Sequence, residues 1–319
     1  MTMRTTWRVG RLWVPAATAV VMAAAAGLTG AAPAAAQTVV NCNGNPAALQ
    51  PAITAASPGD TLRVRGTCVG NFTIHKDLTL IGLGNAVLDG NGTGTTVTVG
   101  FSQVQLTNLT ITGGNDTYGG GIFNHSGSTL TLDRSTVRNN SSIFYAGGIG
   151  NSATLTLRNS AVRDNVAAHG AGGIDSVGST LTLDRSSVTH NTANGDVGGG
   201  IRHQNGTLTL TRSTVSNNSS PTNGGGIYNI GGNGYGTMTL DRSTVRENTA
   251  ANRGGGIYNE GGTATLRNST VERNTANGGP GSGGGLYNDG GTATLTNTMV
   301  RNNIPDNCAP PGTIPGCTA

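Results

Sequence analysis

The sequence predicts an all-β solenoid, a rod of about ten stacked β-coils. Gly supplies 53 of the 319 residues, whereas only 4% are aromatic and 11% are charged, a composition that favours many short strands joined by glycine turns. Within the repeat, apolar residues alternate in short runs and show no 3.6-residue period. A Gly-Gly-Ile/Leu block recurs seven times at intervals of 25 to 30 residues, and a period in this range is typical of solenoids. The apolar residues of these blocks are Ile122, Ile149, Ile174, Ile201, Ile227, Ile257 and Leu286.

The first 36 residues have the pattern of a signal peptide. Arg4, Arg8 and Arg11 precede an apolar stretch, and residues 34–36 form an Ala-x-Ala cleavage site. We therefore expect a secreted protein without a membrane span in the mature chain. Three arginines and no acidic residues would leave with this segment, so the formal net charge falls from +4 to +1. The basic character of the whole chain is then no argument for nucleic acid, which we do not expect as a partner.

Four cysteines follow the signal segment and allow three pairings. We favour Cys42–Cys68 and Cys308–Cys317, because this pairing closes one short loop at each end of the rod. Export disfavours free or metal-bound thiols, and no metal site or cofactor is expected.

Both ends of the solenoid are expected to carry caps, because an open coil would present bare strand edges. In the N-terminal cap, residues 37–61, Leu49 and Ile53 belong to a pattern that predicts a short helix over the first coil, although Pro51 removes one backbone donor. Residues 62–303 form the coils. The proline-rich segment 304–319 is expected to cover the other end.

Stacking places the equivalent residues of successive coils in columns, in which neighbours lie about 4.8 Å apart along the rod axis. About ten coils would therefore give a length on the order of 48 Å. The Ile/Leu column of the glycine blocks is expected in the core with two further columns. These are Leu132, Leu157, Leu183, Leu210, Leu240, Leu266 and Leu295, and then Val137, Val162, Val188, Val215, Val245, Val271 and Val300.

An asparagine follows every one of these valines by three residues. Such a residue can accept left-handed backbone geometry at a turn, and its amide can bond to the amide of the next coil. We interpret this column as a structural ladder formed by Asn140, Asn165, Asn191, Asn218, Asn248, Asn274 and Asn303. A second, imperfect polar column, also interpreted as structural, contains Asn124, Asn151, Ser176, His203, Asn229, Asn259 and Asn288.

Two sets of motifs carry a family resemblance. The segment from Leu49-Gln50-Pro51-Ala52-Ile53 to Pro58-Gly59-Asp60-Thr61-Leu62 resembles the opening of pectin-lyase-like domains. The Gly-Gly-Gly-Ile-Tyr-Asn and Val-x-x-Asn repeats resemble those of polymorphic outer-membrane proteins. The resemblance implies a right-handed parallel β-helix. It says little about function, because this superfamily includes polysaccharide lyases, glycosidases and adhesins.

One outward column ends in three successive tyrosines, Tyr228, Tyr258 and Tyr287. We expect an exposed aromatic strip, whose flat rings would suit the apolar faces of sugars. The alternative is that stacked tyrosines only stabilise the sheet.

A second outward feature is a Thr-x-Thr pair in every coil, which resembles the ice-binding face of β-solenoid antifreeze proteins. The favoured interpretation is a solvated strand face, because Thr is a good polar strand former and charged residues such as Asp184 flank the pairs. The residues central to the ice-binding alternative are Thr182, Thr207, Thr209, Thr237 and Thr239.

For an enzyme of this superfamily, the resemblance implies several aspartates with Ca²⁺ and a base, or paired aspartates with a histidine. Here Lys76 is the only lysine and no Asp-Asp pair occurs. The nearest candidate catalytic group is Asp175, Arg202 and His203, in which the first two can equally form a plain ion pair.

The expected function is therefore that of a secreted, non-catalytic and monomeric protein that presents a sheet face to a polysaccharide or a cell-surface glycan, like an adhesin. The alternatives are a polysaccharide lyase or glycoside hydrolase, and an ice-binding protein.

Overall fold

A computed structural model describes residues 37–232 and 235–317, and the predicted signal peptide lies outside the described residues. The elements up to the first glycine blocks are β1 (Gln37–Asn41), α1 (Leu49–Ala55), β2 (Thr61–Val69), β3 (Phe72–Ile74), β4 (Leu78–Asp89), β5 (Val97–Val99), β6 (Gln103–Thr107), β7 (Thr110–Thr112), β8 (Asn115–Asp116), β9 (Ile122–Asn124), β10 (Thr129–Asp133), β11 (Thr136–Arg138) and β12 (Ser141–Ser142). The central coils contain β13 (Ile149–Asn151), β14 (Thr154–Arg158), β15 (Ala161–Arg163), β16 (Val166–Ala167), β17 (Ile174–Val177), β18 (Thr180–Asp184), β19 (Ser187–Thr189), β20 (Thr192–Ala193), β21 (Ile201–Gln204), β22 (Thr207–Thr211), β23 (Thr214–Ser216) and β24 (Ser219–Ser220). The last coils contain β25 (Ile227–Ile230), β26 (Thr237–Asp241), β27 (Thr244–Arg246), β28 (Thr249–Ala250), β29 (Ile257–Glu260), β30 (Thr263–Arg267), β31 (Thr270–Glu272), β32 (Thr275–Ala276), β33 (Leu286–Asp289), β34 (Thr292–Thr296), β35 (Met299–Arg301) and β36 (Cys308–Ala309).

Within the described ranges, these strands form three sheets of 19, 10 and 7 strands along one solenoid. We call them sheet 1, which includes β10 and β11, sheet 2, which includes β9 and β13, and sheet 3, which includes β8 and β12. The pairing of successive coils is parallel and joins residues one repeat apart, such as Ile149 with Ile174 and Leu157 with Leu183. The predicted all-β parallel solenoid of about ten coils is therefore confirmed.

The core is a stack of the three predicted apolar columns. Ile122, Leu132 and Val137 have no solvent exposure, and the same holds for their counterparts in the following coils. In the last coil, Leu295 and Val300 are only partly buried, because no further strand of sheet 1 pairs beyond β34 and β35. Medium-sized side chains fill this interior, which explains why the sequence needs few aromatic residues.

The predicted asparagine ladder is also confirmed. The Nδ2 atom of Asn218 donates to Oδ1 of Asn248 at 2.9 Å, and each neighbouring step has the same geometry at 2.9 or 3.0 Å. The left-handed backbone lies elsewhere than we predicted. The residue before each ladder position has the positive φ, for example Asn217 at 56° and Glu247 at 55°. The bend is therefore made one residue earlier, and the asparagine side chain points into the turn that the bend creates.

A ladder of serine residues, which the sequence analysis did not identify, supports the other bend of each coil. The backbone N–H of each serine except the last donates to the hydroxyl of the equivalent serine one coil later, at 3.1 Å, and that of Ser269 donates to the hydroxyl of Thr298 at 3.4 Å. The residue before each serine again has positive φ, as at Arg185 and Arg212. The ladder consists of Ser135, Ser160, Ser186, Ser213, Ser243 and Ser269.

The predicted disulfides Cys42–Cys68, which joins the N-terminal segment to β2, and Cys308–Cys317 are both present, with Cα–Cα distances of 5.1 and 6.1 Å. The predicted helix is α1. Pro51 falls in its first turn, where a backbone N–H has no intrahelical partner in any case. The sequence analysis missed β1, which extends sheet 1 by pairing with β2. In the part of the chain that is described, no helix has the length and apolar character needed to cross a membrane.

Candidate functional site

The tyrosine column forms the predicted stack, but its predicted exposure is wrong. Tyr228 and Tyr258 lie parallel at 5.0 Å between ring centroids, and Tyr258 and Tyr287 at 5.1 Å. Their exposed fractions are only 7%, 4% and 7%. Because the rings cover one another's faces, no face is open to a sugar. The ligand-binding role assigned to these tyrosines stays a prediction, and their burial argues against it. We call these three residues the closed stack.

Two kinds of contact, in addition to the ring stacking itself, hold the closed stack in place. The backbone of Gly224 approaches Tyr228 so closely that a Cβ at this glycine would lie 2.8 Å from the tyrosine Cβ. The Tyr228 hydroxyl donates to Glu260, one coil further on, and Tyr258 donates in the same way to Asp289. Burial raises the pKa of both phenols, and the neighbouring carboxylates shift the pKa in the same direction. The hydroxyls are thus committed to internal hydrogen bonds.

Further toward the N-terminus, the same outward column carries an ion pair. Arg202 donates from Nε and Nη2 to the two carboxylate oxygens of Asp175, at 2.9 and 2.6 Å, and from Nη1 to Asp196 at 3.4 Å. Asp175 is 2% exposed. Burial raises the pKa of its carboxyl, whereas the hydrogen bonds and charge of Arg202 lower it. The bidentate geometry uses both oxygens of Asp175 and leaves no carboxylate oxygen unpaired.

His203 does not join this pair. It points into the core, because successive strand residues alternate between the two faces of a sheet, and it is fully buried. Burial lowers the pKa of its imidazole. The candidate group of Asp175, Arg202 and His203 is therefore divided between the outside and the inside of the wall. In the described ranges, no three His, Cys, Asp or Glu side chains converge as a possible metal site.

A second aromatic cluster lies on the outside of the N-terminal coils. The Tyr118 ring stacks on Tyr145 at 5.2 Å and on Phe123 at 5.6 Å, and the edge of His125 contacts Phe123 at 4.2 Å. Beside them, Phe144 stacks on His169 at 5.6 Å. We call the cluster of Tyr118, Phe123, Phe144, Tyr145, His125 and His169 the open cluster.

The open cluster is well exposed to solvent. Tyr118, Phe144 and Tyr145 have exposed fractions of 51%, 51% and 42%. Three adjoining cavities of about 430, 280 and 340 Å³ lie along the cluster, and Tyr118 lines all three. Together they form a groove on the outside of sheet 2, which we call the aromatic groove. Asp116 lies at one end, and Asp196 and Arg202 lie at the other.

A glycine creates the space for this groove. Gly150 replaces the side chain that the outward column would otherwise carry between Phe123 and Asp175, its direct partners in sheet 2. A Cβ at Gly150 would lie 2.3 Å from the carbonyl oxygen of Tyr118 and 2.9 Å from Cδ2 of Phe123. The missing side chain therefore lets the Tyr118 loop settle against the sheet.

Sequence analysis missed Tyr118, Phe144 and Tyr145, although a signal was present. Tyr118 and Tyr145 each precede the isoleucine of a glycine block by four residues, so they occupy equivalent positions of consecutive coils. Parallel bridges from Gly119 to Ala146 and on to Ala171 keep these loops in register. An aromatic pair at one repeat offset therefore predicts a stacked pair, even within a loop.

The threonine pairs form two columns in register on the outside of sheet 1. Strand pairing aligns Thr182 with Thr209 and Thr239, and Thr180 with Thr207 and Thr237. The same alignment holds across seven strands, from β10 to β34. A third outward column on this face carries charges, for example Asp184 and Asp241. The lattice is thus regular but bordered by ionised groups.

A scan against protein-family models gives no match, and a search of curated protein sequences gives none either. Among solved structures, the chain is similar to pectate lyase Pel9A, with a TM-score of 0.56 and 14% identity over 86% of this chain and 78% of that one. It is also similar to an alginate lyase from Paenibacillus sp. str. FPU-7, with a TM-score of 0.47 and 15% identity over 87% of this chain and 99% of that one. Identity this low shows a shared fold alone. The shared fold is the right-handed parallel β-helix that the sequence motifs imply.

Proposed function

We propose that the protein is an exported, non-catalytic binding protein that holds a polysaccharide in the aromatic groove. The observation that carries this proposal is the open cluster, in which Tyr118, Phe144 and Tyr145 keep about half of their surface in solvent. These are large apolar side chains in a chain that is only 4% aromatic. Exposed apolar surface concentrated in one concave patch is typical of a binding site.

The chemistry of the groove suits a sugar chain. Aromatic rings offer flat apolar faces for the C–H faces of pyranose rings, and a tyrosine adds a hydroxyl that can hydrogen-bond to a sugar. The floor runs through equivalent positions from Thr98 to Arg202, which is four steps of about 4.8 Å, or roughly 19 Å. An extended oligosaccharide lying along the rod axis would therefore contact several coils at once.

Binding without catalysis is favoured by the state of the nearby ionisable groups. Asp175 and Arg202 satisfy each other, and His203 lies on the other side of the wall. The two disulfides fit an exported protein. The similar structure with a TM-score of 0.56 is a pectate lyase, and an enzyme named for a polysaccharide agrees with a glycan partner. It also keeps open the alternative of a lyase, which would release unsaturated uronate products.

The test is a titration of the mature protein with a panel of oligosaccharides, followed by tyrosine fluorescence and calorimetry. Tyr118→Ala and Tyr145→Ala are each expected to weaken binding by about tenfold or more, the size of effect that an aromatic anchor gives. Tyr235→Ala is the matched control, since this tyrosine is 71% exposed and lies outside the groove. Absence of binding to every glycan, or equal loss in the control, would reject the proposal.

The threonine lattice supports a second candidate function, binding to ice. The favouring observation is the strict register of two threonine columns across seven strands. Thermal hysteresis of the mature protein is expected in that case, and Thr209→Lys should abolish it. Thr244→Lys, outside the lattice on β27, is the control. Lack of hysteresis at high protein concentration excludes this function.

A further inference from the structure

Among the formally charged side chains that line the aromatic groove, acidic groups outnumber basic ones. Asp116 lies at one end, where its Oδ2 accepts hydrogen bonds from the backbone N–H and the hydroxyl of Thr95 at 2.9 and 2.8 Å. Asp175 and Asp196 lie toward the other end with Arg202. The described residues that line the three cavities thus include three carboxyl groups and a single guanidinium.

That guanidinium has little capacity left for a ligand. Arg202 is 15% exposed and already donates to both oxygens of Asp175 and to Asp196. Asp196, in contrast, keeps 41% of its side chain in solvent. With the histidines counted as neutral, the groove has a formal charge of −2, or of −1 when the buried Asp175 carries a proton. In either state the sum is negative.

From these charges we infer that the aromatic groove selects a neutral polysaccharide and disfavours polyuronates. This inference rests on the proposed function, and it names the ligand class of the same site. A polyuronate carries one carboxylate on every sugar, so it would place several like charges within a Debye length of about 8 to 10 Å from Asp116 and Asp196. No unpaired cation lines the described groove to offset them. The open ring faces, on the other hand, require no charge on the sugar.

The experiment compares two oligosaccharides of equal length on the mature protein, xylohexaose as the neutral probe and hexagalacturonate as the acidic probe. We expect the neutral oligomer to bind about tenfold more tightly at low salt. Added salt should reduce this difference in affinity, because screening weakens the repulsion between hexagalacturonate and the groove carboxylates and leaves xylohexaose binding unaffected.

A charge variant makes the test specific to the groove. Asp196→Asn keeps the shape of the side chain and is expected to raise affinity for hexagalacturonate about fivefold, the scale of one charge interaction near a solvated surface. The readout is the ratio of the two affinities, which should shift about fivefold toward hexagalacturonate, because only the acidic probe is repelled by this carboxylate. Asp184→Asn is the matched control, because it makes the same change in net charge on the threonine face of sheet 1 and should alter neither affinity.

The outcomes distinguish a failure of the inferred preference for neutral glycans from a failure of the proposed glycan-binding function. Tighter binding of hexagalacturonate than of xylohexaose would overturn the inference, and if Tyr145→Ala still abolished that binding the proposed function would stand. An equal effect of Asp184→Asn and Asp196→Asn would also overturn it, since the selection would then come from net charge rather than from the groove. Binding of neither oligomer, nor of any other glycan, would refute the proposed function and the inference together.

Discussion

The closed stack and the open cluster occupy the same face of the rod and are built from the same repeat, yet they have opposite relations to solvent. In the closed stack, consecutive tyrosines stand on the strand column of sheet 2 and cover one another. In the open cluster, Tyr118 and Tyr145 stand on the preceding loop, and the strand position against which the Tyr118 loop rests is Gly150. Moving the aromatic side chain five positions along the repeat therefore changes it from a structural element into accessible surface.

The two clusters should differ most in how much the free energy of unfolding falls when one aromatic ring is removed. Tyr258→Ala would leave a cavity between two parallel rings and should lower the free energy of unfolding by about 3 kcal/mol. Tyr145→Ala removes a ring that is 42% exposed and should cost at most about 1 kcal/mol. Urea unfolding of the two variants checks this, and equal losses would contradict the assignment of the clusters to different roles.

A smaller effect is expected when the space under the open cluster is filled. The Cβ of Gly150→Ala would meet the carbonyl oxygen of Tyr118, so the loop must move, at a cost of about 1 to 3 kcal/mol. Because Tyr118 lines all three cavities, glycan binding should be lost as well. Thr156→Ala, on the opposite side of the same coil, is the control and should stay within about 0.5 kcal/mol of the natural protein. Unaltered stability of Gly150→Ala would show that the glycine is not needed for the groove.

The closed stack should also make stability sensitive to alkaline pH. Burial raises the pKa of Tyr228 and Tyr258 above the ordinary value of about 10. The unfolded chain then loses these protons first, so the free energy of unfolding should fall as pH rises above about 10. Urea midpoints measured between about pH 8 and pH 11 test this. The decline should be shallower in Tyr258→Phe, and an identical decline would exclude the buried phenol as its source.

The smallest expected effect concerns the cation that lies beside the closed stack. The guanidinium of Arg253 lies 5.0 Å from the Tyr287 ring centroid. Arg253→Met keeps the aliphatic part of the side chain and removes the charge, which should cost about 0.5 to 1 kcal/mol in thermal or urea unfolding. Loss of glycan binding in this variant would indicate that the closed stack takes part in recognition after all.

Much of the fold can be predicted from the sequence, because stacking brings equivalent residues of successive repeats into contact and each coil must then adopt the same conformation. Seven valines each followed by asparagine at the same spacing have a single reasonable arrangement, and the ladder from Asn140 to Asn303 is observed. The cysteine pairing was likewise predictable, since the two bonds close the ends of one rod.

Exposure at the site was harder to predict, because strand periodicity tells which face a residue takes but not what covers that face. Tyr258 faces outward as expected, and it is buried by its neighbours and by the close backbone of Gly254. Tyr118 stands in an irregular loop, where strand periodicity gives no information. The serine ladder was missed for a different reason: Ser and Thr are common on solvated strands, so a serine column lacks the distinctiveness of an asparagine column.

The asparagine ladder has a consequence for how this protein can vary in size. Every step is chemically identical and points the same way, since the amide nitrogen of one coil always donates to the amide oxygen of the next. Removal of residues 219–248 would bring Asn274 next to Asn218 and restore the same bond, while both ends and every residue that lines the aromatic groove stay in the chain. The length of the rod can therefore change by the gain or loss of single coils, while the residues that line the groove are kept.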